Sequence, residues 1–169
     1  MANDFLLPAF TFNVSLTRAN DRPNAGKDAN PDVLGTTGGF AECTGLELEA
    51  DIKEYLEGGR NDGVIRRVGR VKLAPLVLKR GMFSADADSR ANPDLWLWLT
   101  RMVSGTQPIT RYNGRIEILA PKSRSPLATW TFDRGLPQKV TGPSLNAKTG
   151  EIAIEELHIV HEGLRMEVS

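Results

Sequence analysis

Any chemistry in this chain of 169 residues would have to pass through few side chains, since it holds one cysteine and two histidines. His158 and His161 stand three apart on a run that reads as a strand. Odd spacing turns strand side chains to opposite faces, so the two imidazoles do not converge on one metal ion as they could on a helix. Cys43 has no partner close in sequence to stabilise a thiolate. Gly26-Lys27-Asp28 matches a phosphate loop only at its lysine; the earlier glycine, the following Ser or Thr and the following helix are missing. Glu47, Glu49 and Asp51, continued by Lys53, alternate with Leu46, Leu48, Ala50 and Ile52. That is the pattern of a solvated strand face rather than of a paired acid and base. Three tryptophans could stack on a sugar ring. Trp98 and Trp130 fall in phase with core positions, whereas Trp96 lies off the apolar stripe and is open to either core or subunit interface. No catalytic constellation, metal set or cofactor cradle results, and the chain reads as a non-enzyme with no cofactor.

The elements that place these residues are mostly strands. Phe10, Phe12, Val14 and Leu16 alternate with polar residues, which predicts a half-buried strand. Arg18 to Thr37 is rich in Asn, Asp, Gly and Pro and reads as one extended loop, longer than compact domains usually carry. Leu46 to Lys53 predicts a second strand with its leucines, Ala50 and Ile52 inward, and Gly58-Gly59 opens a turn. Val64 to Arg70 is mixed, and Pro75 interrupts a strand over Val71 to Arg80, marking an edge or bulge. Asn92 as cap, Pro93 and Asp94 begin a helix whose Leu95, Trp98, Leu99 and Met102 recur at helical spacing up to Gly105. Asn113-Gly114 reads as a turn between two strands, and Pro121 to Pro126 as another. Near Glu155-Glu156 the inward phase slips from Ile152 and Ile154 to Leu157 and Ile159, which suggests a bulge or a strand that passes from one packing environment to another. Many strands, one helix at about residues 93–104 and no βαβ rhythm predict a mainly β, antiparallel barrel or sandwich.

Composition narrows the class further. With 40% hydrophobic and 25% charged residues the chain has material for one core, as a single domain over 1–169. Basic and acidic residues cancel at 21 each, so no basic field is available to hold a nucleic-acid backbone, and self-association meets little repulsion. A lone cysteine excludes an intrachain disulfide and fits synthesis in a reducing cytoplasm. The first residues lack the basic and apolar regions of a signal peptide, and no apolar run has the roughly 20 residues of a membrane anchor.

A set of blocks, in order, resembles the tail tube family of contractile phage tails and contractile injection systems. They are Phe12-x-Val14, Gly39-Phe40-x-Glu42-x-x-Gly45-Leu46-x-x-Glu49, Tyr55-x-Glu57-Gly58-Gly59-x-Asn61, Leu76-x-Leu78-Lys79-Arg80-Gly81 and Leu95-Trp96-x-Trp98. Further on come Trp130-x-Phe132, Pro137-x-Lys139, Gly142-Pro143-x-Leu145-Asn146-Ala147 and the run from Ile154 to Leu164. Val68-Gly69 stands where that family commonly carries Pro-Gly. The resemblance implies a β-barrel or sandwich with one helix, assembling as hexameric rings stacked into a hollow tube. It also implies kinship with the type VI secretion tube. The partners implied are copies of itself, sheath, baseplate and spike proteins, and protein or DNA cargo in the lumen, with no direct membrane anchor. It places the protein in a phage tail or tail-like injection particle. Glu42, Tyr55, Gly58, Gly59, Lys79, Arg80, Trp96, Gly142 and Pro143 are its candidate interface residues. Glu47, Glu49, Asp51 and Lys53 are candidates to face either lumen or sheath. An adaptor ring of the same fold at the tube end or baseplate is the nearest alternative, and a carbohydrate-binding β domain a more distant one.

Overall fold

Among the described residues, eight strands belong to one antiparallel sheet because one of them, sixteen residues long, pairs with two neighbours along its first half and a third along its second. The computed structural model describes residues 7–19, 33–34, 39–56, 58–59, 63–84, 90–148 and 150–167. Its elements are β1 (Phe12–Arg18), β2 (Val33–Leu34), β3 (Glu42–Thr44), β4 (Leu48–Tyr55), β5 (Ile65–Leu73), β6 (Leu76–Gly81), α1 (Asp94–Val103), β7 (Tyr112–Leu119), β8 (Pro126–Thr141), β9 (Ile154–Val160) and β10 (Gly163–Glu167). The order is β2-β1-β7-β8-β9-β6-β3, with β10 also on β8, while β4 and β5 form a separate ribbon. The first half of β8 pairs with β7 and β10 and its second half with β9. The expected mainly β fold with one helix is the observed one. Most of the 18–37 loop lies outside the described residues, but within it Leu34 pairs with Leu16.

The core gathers where the half-sheets meet. Leu16, Leu76, Leu78, Phe132, Leu157 and Ile159 are almost fully excluded from solvent. Helix α1 closes it with Leu95 and Trp98; the Trp98 indole donates to Thr110 O at 2.9 Å and meets Tyr112 edge-on at 4.8 Å. Pro93 occupies the N-cap position, yet the Asn92 side chain still accepts the Asp94 N–H at 2.8 Å, so the expected capping group serves one residue earlier than expected. Phe10, expected in line with Phe12, precedes the strand and is exposed. Pro75 marks neither edge nor bulge: it ends one pairing system and starts another, between β5 of the ribbon and β6 inside the sheet.

Asn113-Gly114 is not a turn but lies within β7. Opposite it, β8 carries an extra residue: Gly114 pairs with Phe132 while Tyr112 pairs with Gly135. Arg134 takes a positive φ of 52° at this bulge, and its N–H donates to Asn113 Oδ1 at 2.9 Å. The Phe132 ring fills the space beside both glycines. A Cβ at Gly114 would lie 1.9 Å from the ring, and one at Gly135 would lie 2.7 Å from it. The buried His161 ring lies 5.5 Å from Phe132, its nitrogens facing the backbone at Ala74 and Gly163 without a hydrogen bond of good geometry among the described residues.

Gly114→Ala should cost at least about 3 kcal/mol of unfolding free energy, the upper end of overpacking, whereas Gly58→Ala, with nothing within 4 Å of its Cβ, should stay within about 0.5 kcal/mol; urea titration of both variants checks this. Burial holds the His161 pKa below the ordinary imidazole value, so the folded state resists protonation. Its share of stability is present above the unfolded value of about 6.5 and is lost as pH falls through the depressed folded value. The urea midpoint should therefore drop between about pH 7.5 and about pH 5.5, and His161→Phe should flatten that dependence.

Candidate functional site

The ribbon of β4 and β5 has two unlike faces, because its cross-strand pairs alternate in character. On one, Leu48 faces Leu73, Ala50 faces Val71 and Ile52 faces Val68, with the Glu54–Arg66 ion pair at the far end. This apolar face is open to solvent: Leu48 is 58% exposed, Ile52 50%, Val68 75% and Val71 60%. Leu48, Ala50 and Ile52 were expected inward. They are exposed because, among the described residues, β4 pairs with β5 alone, apart from the main sheet, while Leu46 of that stripe packs against the core. The other face carries Glu49 beside Lys72 at 3.2 Å, Asp51 opposite Gly69-Arg70, and Lys53 beside Arg67. At its tip Arg67 lies 5.2 Å from the Tyr55 ring centroid. Glu47 precedes this face in the same alternation.

Two glycines shape the ribbon. Gly69 begins the β5 bulge, where a Cβ would sit 2.8 Å from Asp51 O. Gly45 adopts φ +88°, and a Cβ there would meet Pro75 O at 2.2 Å. The ribbon therefore enters the body at Gly45 and leaves it at Pro75 through one tight contact. Gly58 and Gly59 form its turn, with Gly59 at φ +92°.

The remaining candidates fall into two places. Glu42 on β3 accepts Lys79 Nζ at 3.1 Å on both carboxylate oxygens, at an end of the main sheet where β3 pairs only with β6. Trp96 on α1 is 39% exposed and lies over Gly142, whose Cβ would come 3.4 Å from the indole, with Pro143 half-buried beside it. Arg80, expected at an interface, is instead 1% exposed. It continues the inward row Leu76, Leu78, Arg80 and donates from Nε to Glu155 Oε1 at 2.6 Å. The Trp96 indole donates to the other oxygen, Oε2, at 3.1 Å.

This pair corrects the expected bulge near Glu155-Glu156. The inward row of β9 is Glu155, Leu157, Ile159 without a slip, while Ile152 and Ile154 face out. Unlike charges ending the inward rows of two strands were a readable signal for the pair. Val68 and Val71 were missed because the bulge at Gly69-Arg70 breaks the alternation that would have shown them on one face. Cys43 is half-buried, and burial pushes its thiol up to about 11, far from a reactive thiolate. Among the described residues no group of three or more His, Cys, Asp or Glu side chains could hold a metal.

Residues 8–165 match the model of the T4-like virus tail tube protein gp19 family. No curated protein matches. Among solved structures, the chain is similar to one in the six-fold symmetrised anti-feeding prophage baseplate, at 22% identity and a TM-score of 0.73, covering 99% of this chain and 97% of that one. It is similar to a chain of an extracellular contractile injection system sheath–tube complex in the extended state, at 19% identity and a TM-score of 0.72, covering 98% and 94%. A type six secretion system protein shares the fold more loosely, at 9% identity and a TM-score of 0.53, covering 92% and 83%.

Removing one partner of the buried ion pair leaves the other charged and dry, so Glu155→Leu should cost about 3–5 kcal/mol. The double variant Arg80→Met/Glu155→Leu should recover most of that loss in a double-mutant cycle by urea unfolding.

Proposed function

This chain belongs to the T4-like virus tail tube protein family, and from that premise we propose that it assembles as hexameric rings, stacked into the hollow inner tube of a phage tail or tail-like injection particle. The family is a structural one, not a family of enzymes. The tube's role is passive on this reading: the sheath contracts around it, the tube is driven forward, and cargo passes along its lumen.

The observation that carries the reading is the ribbon. Its exposed Leu48, Ile52, Val68 and Val71 form a continuous apolar strip on paired strands, which a soluble monomer gains nothing by exposing. Burying each of these side chains against a neighbouring copy contributes on the order of 1.5–3 kcal/mol. Once that face is covered, the opposite face of Glu49, Asp51 and Lys53 is turned towards the lumen, where a charged surface does not adhere to passing apolar segments. The two-residue β2 and three-residue β3 end the sheet and offer backbone groups to strands of adjacent subunits. Trp96, Gly142 and Pro143 form a second contact in the ring, and Glu42 with Lys79 sits at the β3 side of it. A closed ring uses one heterologous contact repeatedly, and stacking adds another along the axis.

Negative-stain electron microscopy with light scattering tests this. The wild-type chain should give rings or tubes with a central hole. Val68→Asp/Val71→Asp should give folded monomers with an unchanged circular dichroism spectrum. A wild-type chain that stays monomeric at high concentration would sink the bulk-tube reading in favour of an adaptor ring formed only on a partner.

A further inference from the structure

The charged face of the β4–β5 ribbon is not balanced. It carries four cations, Lys53, Arg67, Arg70 and Lys72, against two carboxylates, Glu49 and Asp51. The bulge produces part of this excess, since it brings Arg70 to the face opposite Asp51 beside Gly69. Among the described residues, Lys72 alone of the four is spent in an ion pair, with Glu49. Arg67 rests over the Tyr55 ring, and neither it nor Lys53 nor Arg70 has an ion-pair partner among the described residues. Cations still outnumber carboxylates when Glu47 is added. The chain as a whole is neutral, so the excess belongs to this face.

We propose that this face gives the tube a net basic lining, and that its cargo is acidic protein. The assignment rests on the tube reading above, because ring symmetry repeats the face around one lumen. Fields from like charges lining a narrow channel add, and they raise the local concentration of anions. A nucleic acid fits the face poorly. It would press an unbroken line of phosphates onto Glu49 and Asp51 as well as onto the cations. Nor is there an open platform for its bases, since Tyr55 at the tip is already covered by Arg67. An acidic protein has irregularly spaced carboxylates for Lys53, Arg67 and Arg70, and cations of its own for Glu49 and Asp51. Such contacts are exposed and screened, so they hold cargo loosely enough to release it.

The test uses tubes assembled from the full chain, incubated with labelled polyglutamate, polylysine or a single-stranded oligonucleotide of matching length, then sedimented and imaged by cryo-electron microscopy. Wild-type tubes should retain on the order of tenfold more polyglutamate than polylysine at low salt, with density inside the lumen and loss of binding as salt rises. Arg67→Gln/Arg70→Gln tubes should lose this preference, and Lys122→Gln, in the turn between β7 and β8, should keep it. Equal retention of the two polypeptides, stronger retention of the oligonucleotide, or an unchanged preference in the double variant would each overturn the assignment. If the double variant forms no tubes, the wild-type comparison of probes and salt decides alone. Failure of the wild-type chain to form tubes would overturn the tube reading first, and the cargo assignment with it.

Discussion

Strand β8 can serve two half-sheets only because it shifts register at Asp133-Arg134, and Phe132 is what fixes that place. The ring occupies the room left by Gly114 on β7 and Gly135 on β8. Close packing leaves no slack for a different arrangement. Asn113 completes the site by accepting the Arg134 N–H, which anchors a non-glycine residue in the left-handed region. From this point β8 meets β10 and β7 on one side and β9 on the other. The course of β6, the core residues Leu76, Leu78 and Leu157, and the seat of α1 follow from it.

A second constraint ties the helix to the sheet through charge rather than through packing alone. Arg80 and Glu155 end the inward rows of β6 and β9, and Glu155 turns its second oxygen to the Trp96 indole. Arg80 Nη1 is buried without a hydrogen-bond partner among the described residues, so the arrangement is costly in isolation. It fixes where Trp96 stands: one edge held by a carboxylate, the rest lying over Gly142 and partly open. A hydrophobic pair in the same positions would fill the volume and leave the indole without a fixed orientation.

Much of this was readable in the residues. Alternation found β1 and β4, helical spacing found α1 with Leu95 and Trp98 inward, and the ordered blocks pointed to the tail tube family. The misreadings share one cause, which is that local patterns cannot see the opposite strand. Asn113-Gly114 has the composition of a turn, but both residues answer to Phe132 and Arg134, some twenty positions away. Glu155 looked like a break in phase because its partner Arg80 lies in another strand. Leu48 and Ile52 alternate like core residues, and nothing in the pattern says whether such a face is covered by the same chain, covered by a neighbour or left open. The bulge at Gly69 hid Val68 and Val71 for the same reason that it brings Arg70 onto the charged face.

The close approach of Gly45 to Pro75 has a mechanical consequence. Both strands of the ribbon are rooted at one pinch, next to β3 and β6, so the ribbon is supported like a cantilever: firm at its base and free along its length. On the tube reading proposed above, load passing from one subunit to the next along such beams would converge on the root. The stiffness of such a conduit would then be governed by the few backbone atoms around Gly45 and Pro75, while the ribbon beyond them decides which neighbour it touches.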